Sequence, residues 1–130
     1  MNNRWSLVTM QNVEIQTINN KGRSLICKTH IIKEGFIIEC VPITIFCNTI
    51  TTHLIDTYCG EKFLGWEVAT NGVIKSVAVA NGLIMLCNHA NNPNARIVKN
   101  FELDIVKLVA IKDISPNEEI TIKYLQRKTF

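Results

Sequence analysis

The residues best suited to chemistry lie in one polar stretch, LCNHANNPNARI, which spans Leu86–Ile97 between two apolar runs. It contains four asparagines, one histidine and one proline. Amide and imidazole side chains donate and accept hydrogen bonds and are suited to binding a polar ligand. Asn and Pro are also common turn residues, so an ordinary loop is the alternative. The order Asn-His and then Pro-Asn-Ala favours a loop whose backbone groups bind a ligand instead of pairing in a sheet.

Covalent and metal chemistry have little support in the rest of the sequence. The five cysteines form an odd set without a CxxC pair, which argues against both a disulfide framework and a zinc site. The three histidines are scattered, and no cysteine–histidine nucleophile pair is visible. The usual dinucleotide and phosphate-loop signatures are missing as well. We therefore expect no metal site and reduced, half-buried cysteines, namely Cys27, Cys40, Cys47, Cys59 and Cys87.

The composition is that of one small domain. A chain of 130 residues can bury a real core. Its formal net charge of +3 comes without a basic stripe, so we expect no specific nucleic-acid partner. No apolar run approaches the length of a membrane span, and the N-terminal MNNRWSLVTMQNVE has no signal-peptide core. The sequence therefore predicts a soluble, intracellular protein that has no membrane partner.

Short β-strands must position the polar stretch. Val13–Ile18 alternates apolar and polar residues, and a turn follows at 19–22. Phe36–Phe46 is rich in β-branched residues, and Pro42 within it predicts a bend or a sheet edge. The remaining predicted strands are Ser24–Ile32, Val77–Ala80, Arg96–Lys99, Asp104–Ile111 and Glu119–Tyr124.

Three further segments are less regular. Gly65–Asn71 leads into an Asn-Gly turn and predicts a hairpin. Gly82–Cys87 is a continuous apolar run that fits a short buried helix or a strand, and Thr49–Phe63 fits a short helix or a loop. Composition and periodicity alone therefore predict a small, mainly β domain with little helix.

Three segments carry a more specific signal. They are KGRSLICKTHIIKEGFIIEC (Lys21–Cys40), ANGLIMLCNHANNPNA (Ala80–Ala95) and VAIKDISPNEEITIKY (Val109–Tyr124). In this order and spacing they resemble the SET domain of protein-lysine methyltransferases. The resemblance is to the minimal virus-like or bacterial form, which has no pre-SET or post-SET zinc modules. The most specific matches lie in the middle segment, at Gly82, Asn88, His89, Pro93, Asn94 and Ala95.

The resemblance implies a fold and its parts. A SET domain is mainly β, with β-clip-like small sheets, little helix and a C-terminal pseudoknot. We expect a single domain over residues 1–130. Within it, residues 19–48 would form the N-terminal SET part, 49–79 a variable insert, 80–124 the C-terminal SET core and 125–130 a short tail.

The resemblance also implies a reaction. A methyl group would pass from S-adenosyl-L-methionine to the uncharged ε-amine of a protein lysine in one in-line displacement. No covalent intermediate is needed, which agrees with the missing nucleophile pair. The protein must align both substrates in a narrow channel. A dry channel beside a cation also favours loss of the lysine proton, whose reference pKa is about 10.4.

The family's partners and location follow from the same resemblance. The substrate would be a lysine-bearing protein such as a histone tail. A homodimer that completes the channel wall is a further expectation. A viral chain, or one from an intracellular microbe, would act in the host nucleus.

The resemblance assigns catalysis and cofactor binding to separate residues. Tyr124 would place its hydroxyl near the transferring methyl and orient the amine. The Asn88 amide and carbonyl would hold the methionine end, while the His89 backbone would pair with the adenine edge. Lys21, Gly22 and Arg23 would line the methionine end through backbone groups.

Other residues would shape the knot and the substrate channel. Asn94, preceded by Pro93, would brace the knot, and Glu118 and Glu119 would fix the final strand. Trp66 and Phe130 would line the lysine channel. Taken singly, each of these residues has an ordinary structural interpretation, with Trp66 in the core.

Four positions depart from the family pattern, and two of them support an alternative function. Ile84 stands where a second glycine is frequent. Ser24 replaces a glycine, which predicts difficulty where the backbone must approach the cofactor closely. Ala90 lacks the hydroxyl that usually follows Asn-His. Asn117 replaces the glycine before Glu-Glu, a mild change because Asn tolerates the left-handed conformation. Together with the short tail, Ser24 and Ala90 also fit a catalytically weak or inactive SET-fold binding module.

Overall fold

The computed structural model describes residues 12–18, 20, 22–46 and 64–124. Nine strands and one 3-10 turn, Leu83–Leu86, make up the regular structure of these residues. The prediction of a mainly β chain with little helix is confirmed, and Thr49–Phe63 lies outside the described residues. The strands are β1 (Val13–Ile18), β2 (Gly22–Cys27), β3 (Ile37–Phe46), β4 (Leu64–Gly65), β5 (Val77–Ala80), β6 (Asn88–His89), β7 (Ala95–Asn100), β8 (Ile105–Ala110) and β9 (Thr121–Ile122).

The first two strands form an antiparallel hairpin that brings Gly22–Ser24 to its tip. Pairing runs from Val13 opposite Cys27 to Ile18 opposite Gly22. Gly22 has a φ of +75°, a left-handed conformation that glycine adopts without steric cost. β2 ends at Cys27 and not at the predicted Ile32, because the backbone turns at 28–30. The side chain of Asn12 holds this turn through hydrogen bonds to both Thr29 and His30.

The main sheet has five antiparallel strands in the order β4-β5-β3-β8-β7. β3 is central in this order, but its two ladders do not overlap along the strand. Pro42 lies where β3 passes from one partner to the other, since pairing with β8 ends at Pro42 and pairing with β5 begins at Ile43. The missing N–H of proline therefore falls at the one point where the ladder changes partner.

The core lies between the main sheet and the β1–β2 hairpin. β8 alternates half-buried and buried residues along its length, as expected for a strand with one face on the core. Residues 64–79, which the sequence places in a variable insert, contribute β4 and β5 to the main sheet. The largest fully buried side chains are Leu25, Ile38, Ile84, Leu108, Ile114 and Ile120.

The C-terminal segment, residues 117–124, crosses several earlier parts of the chain. Residues 117–120 bond the backbone of β2, through Asn117 N–H to Cys27 O and Ile120 N–H to Leu25 O. Thr121–Ile122 then pairs in parallel with β6. Regular strand is therefore limited to β9, which is shorter than the predicted Glu119–Tyr124, because successive residues bond different partners.

The half-buried carboxylate of Glu39 caps the start of the 3-10 turn. Both Glu39 oxygens accept hydrogen bonds, at 2.8 Å from the N–H of Leu83 and 2.9 Å from that of Ile84. These are donors that the first turn of a helix leaves unpaired. Gly82 makes the contact possible, since a Cβ there would lie 2.7 Å from Val41 Cγ1 and 2.8 Å from each Glu39 oxygen. Glycine is thus required at position 82 because Val41 and the Glu39 carboxylate approach its Cα closely. Its backbone conformation is extended and open to any residue.

We expect Gly82→Ala to destabilise the fold by about 2 kcal/mol, because the added methyl displaces the capping carboxylate. Urea unfolding followed by circular dichroism measures the change. The loss should shrink when Glu39→Ala is already present, since the two changes disrupt the same contact. Asn81→Ala, next to the site, serves as a control. Equal costs for Gly82→Ala in both backgrounds would contradict this explanation.

Candidate functional site

The polar stretch predicted to bind a ligand begins in a parallel ladder with the C-terminal segment. Asn88 pairs with Thr121 and His89 with Ile122, and the Ala90 N–H donates to Ile122 O at 2.9 Å. In a parallel ladder a residue bonds the two neighbours of its partner. Because Ile122 bonds the neighbours of His89, the N–H and C=O of His89 point away from β9. These two groups are therefore not used in the ladder with β9.

The Asn88 side chain lies where three parts of the chain meet. Its Nδ2 donates to Ser24 Oγ at 2.7 Å and to Glu119 Oε2 at 2.8 Å, with Arg23 O at the longer distance of 3.5 Å. These partners come from β2 and from the C-terminal segment. Both amide hydrogens are engaged by these contacts, and Oδ1 remains as an acceptor.

His89 and Tyr124 contact each other in two ways. The Tyr124 backbone N–H donates to His89 Nδ1 at 2.9 Å, and the two rings lie 5.3 Å apart at an angle of 52°. A backbone N–H only donates, so Nδ1 is the acceptor and the proton of a neutral ring is on Nε2. Nε2 then donates to Asn91 Oδ1 at 3.1 Å. The imidazole therefore anchors the end of the C-terminal segment.

The Tyr124 hydroxyl donates to the carbonyl oxygen of Cys87 at 2.8 Å. Cys87 directly precedes Asn88, so the phenol and the Asn-His turn belong to one site. The ring is half-buried and packs against the hydrophobic core. This juxtaposition places a hydroxyl and a backbone carbonyl beside the candidate ligand-binding amide.

Asn94 joins the polar stretch to the C-terminal segment through a buried amide. Its Nδ2 donates to Glu119 O at 2.8 Å and to Glu118 Oε2 at 3.2 Å, while Oδ1 accepts from Thr121 N–H at 2.9 Å. The side chain is 6% exposed. The Asn94 side chain therefore pairs with the backbone of Glu119 and Thr121 as a neighbouring strand would. Pro93 directly precedes it.

Ser24 adopts ordinary strand geometry, and its effect on the approach of the cofactor stays a prediction. The residue lies in β2 opposite Gln16 and is not among the described residues with positive φ. The left-handed conformation falls on Gly22 instead. An L-residue is therefore accommodated at Ser24 without strain, and its buried hydroxyl bonds Asn88. Asn117 has a φ of 71°, which confirms its predicted left-handed conformation.

Comparison with known proteins identifies the family. A family model described as the SET domain matches residues 22–125. The chain belongs to the SET-domain family. A search of curated proteins found no match. Among solved structures, the crystal structure of a candidate histone methyltransferase from Plasmodium falciparum matches with a TM-score of 0.64. The two chains are 23% identical, and the match covers 87% of this chain and 92% of that one.

Membership of the SET family places the chain among protein methyltransferases. The described residues contain no group of histidine, cysteine and acidic side chains that could hold a metal ion. Over the same residues, no helix has the length and apolar character needed to cross a membrane.

Two of the cysteines described in this SET domain are buried thiols. Within the described residues Cys27, Cys40 and Cys87 form no disulfide, and Cys27 and Cys87 are buried. Burial raises the pKa of the Cys27 thiol, whose Sγ donates to the carbonyl of His30 at 3.0 Å. A protonated, buried thiol is a poor nucleophile.

Of three further residues that the sequence assigns to the SET site, the structure describes only Trp66. Lys21 and Phe130 lie outside the described residues. Trp66 is 2% exposed and belongs to the core, with its ring 4.8 Å from that of Phe101. Lys99 Nζ donates to the carbonyls of Gly65 and Trp66, and desolvation lowers the pKa of this lysine. Trp66 thus packs in the core and also contacts Phe101 and Lys99, and its role in a channel stays a prediction.

Sequence reasoning missed two features of the site. The Ser24 hydroxyl was treated only as a departure from glycine, although it bonds the central amide. The Glu39 carboxylate was not considered, yet it caps the turn that leads to Asn88. A lone acidic residue within an apolar strand, as in FIIECV, is the one signal that points to the second feature.

Proposed function

We propose that this SET domain is an S-adenosyl-L-methionine-dependent methyltransferase that modifies the ε-amine of a protein lysine. The main supporting observation is that the Tyr124 hydroxyl lies 2.8 Å from the carbonyl oxygen of Cys87. Cys87 is the residue directly before Asn88. A methyl transfer between two bound substrates needs alignment and a polarised site more than it needs a nucleophile. The hydroxyl of Tyr124 beside the Asn-His turn supports this proposal.

The cofactor's place is proposed from the polar groups that remain available. The Asn88 Oδ1 atom would accept from the ammonium of the methionine end, and the outward backbone groups of His89 would pair with the adenine edge. Gly22, Arg23 and Lys21 would line the methionine end through their backbone. When bound, S-adenosyl-L-methionine supplies a methyl group on a cationic sulfonium.

The lysine would approach the site from the side of Tyr124. The phenol hydroxyl, fixed by Cys87 O, would orient the amine and exclude alternative positions. A half-buried site beside a cation disfavours the ammonium form, which promotes loss of the lysine proton. Trp66 and Phe130 remain proposed channel residues, and histone tails are the first substrates to examine.

Purified protein should bind S-adenosyl-L-methionine in a saturable 1:1 manner by titration calorimetry. It should also transfer a tritiated methyl group to histone peptides or lysate proteins, with mass spectrometry locating the label on lysine. The matched control is the same peptide with arginine in place of each lysine, which should remain unlabelled. Failure to bind the cofactor at millimolar concentration would exclude the proposed enzyme.

A further inference from the structure

We infer that Glu119 and Ser24 are positioning residues that fix which end of the Asn88 amide faces the cofactor. The inference rests on the proposed function and extends it to two residues that touch no ligand themselves. Together they hold Nδ2 inside the protein and leave Oδ1, a pure acceptor, at the binding surface. Such an arrangement selects a hydrogen-bond donor, which in the cofactor is the α-ammonium group.

The geometry accounts for both amide hydrogens of Asn88. One lies towards Ser24 Oγ at 2.7 Å, and the other towards Glu119 Oε2 at 2.8 Å. The bond to a carboxylate is charge-assisted and stronger than a bond between neutral groups. The Arg23 carbonyl, at 3.5 Å from Nδ2, is a third acceptor on the same side.

Glu119 sets the polarity of the amide because a carboxylate oxygen accepts but an ionised carboxylate cannot donate. Rotating the Asn88 amide by 180° would bring Oδ1 against that oxygen and leave two acceptors facing each other. The Ser24 hydroxyl tolerates either orientation, since it can donate or accept. Glu119 therefore determines the direction, and Ser24 adds a second fixed contact.

Both partners are themselves held rigidly. Ser24 is fully buried and paired with Gln16 in the β1–β2 hairpin. Glu119 forms a β-bridge with Ile26, and its carbonyl accepts from Asn94 Nδ2 at 2.8 Å. The Asn88 amide is thus fixed before any ligand arrives, and the ordering cost of binding is reduced.

The test compares two ligands that differ in one group. One is S-adenosylhomocysteine, and the other is its deamino analogue, in which hydrogen replaces the α-amino group. Titration calorimetry is run on the wild type, Glu119→Gln, Ser24→Ala and Glu118→Gln. The last variant makes the same chemical change one residue away, where the carboxylate bonds Asn94 and not Asn88.

We expect Glu119→Gln to weaken S-adenosylhomocysteine roughly tenfold and the deamino analogue less than about twofold. Glutamine can donate to a rotated amide, so the wild-type preference for the amino group should largely disappear. Ser24→Ala should reduce the same preference by a smaller factor, because the Glu119 contact persists. Glu118→Gln should leave the ratio of the two affinities unchanged.

Equal weakening of both ligands in Glu119→Gln and Ser24→Ala would overturn the inference, since it indicates a general structural loss. Unchanged affinities in both variants would overturn it as well. Should Glu119→Gln fail to fold, the ratio measured for Ser24→Ala decides. Wild-type protein that binds neither ligand would instead overturn the proposed function itself.

Discussion

Tyr124→Phe is expected to lower the rate of methyl transfer by roughly 100-fold while changing cofactor affinity by less than about twofold. The substitution removes only the hydroxyl that donates to Cys87 O and keeps the ring against His89 and the core. The backbone N–H of residue 124 continues to donate to His89 Nδ1. Single-turnover transfer and cofactor titration, measured on the same preparation, separate the two quantities.

Thermal unfolding of the Tyr124→Phe protein is the control for its fold. The midpoint should change by only a few degrees, since a single half-buried hydrogen bond contributes about 1 kcal/mol. Transfer that continues at the wild-type rate would show that this hydroxyl does not act in the reaction. Parallel losses of cofactor binding and transfer would assign Tyr124 to the binding site instead.

Asn94→Ala is expected to destabilise the fold by about 3 kcal/mol and to lower Tm by roughly 10 °C. The change removes three hydrogen bonds, two to Glu118 and Glu119 and one from Thr121. Thr121 is 8% exposed, so its N–H would be left unpaired away from water. Tyr124 follows β9 by two residues, so loosening of β9 should displace Tyr124 from the Asn-His turn. Cofactor binding should therefore weaken at temperatures below the unfolding transition.

Asn92→Ala provides the matched comparison, two residues earlier in the same loop. Its Oδ1 accepts from exposed Lys112, and we expect a cost below about 0.5 kcal/mol. Urea unfolding of both variants measures the difference. Similar small costs for the two asparagines would contradict the proposal that Asn94 braces the knot.

The alternative function, a catalytically weak or inactive SET-fold binding module, relied partly on Ser24, which was expected to obstruct close approach of the backbone to the cofactor. The structure places Ser24 in ordinary strand geometry, with its hydroxyl on Asn88. A departure from the family pattern therefore contributes a contact at the proposed site. Ala90 keeps its backbone bond to Ile122 O, and this bond needs no hydroxyl.

Much of the strand pattern was predictable because it is local. Val13–Ile18 was predicted with the same bounds as β1, and β8 differs from Asp104–Ile111 by one residue at each end. Alternation of side chains along a strand is encoded at a spacing of two residues, so a short window is sufficient. Gly82–Cys87 left helix and strand open, since an apolar run of that length fits both.

Predictions were wrong where the partner of a segment lies far along the chain. β2 was expected to continue to Ile32, but Asn12 bonds the turn at 28–30 and ends the strand. Glu119–Tyr124 was expected to be one strand. Its backbone bonds Leu25, the Asn94 side chain and then β6 in turn. No local pattern reveals such a change of partners.

By itself, the sequence determined the family, the order of its motifs and the types of residue at the site. The tertiary structure decided which atoms those residues present. The bond from Asn88 to Ser24 spans 64 positions, and that to Glu119 spans 31. Hydrogen bonds at such separations depend on how β2, β6 and the C-terminal segment pack together. For that reason only the folded chain shows which end of the Asn88 amide faces outward.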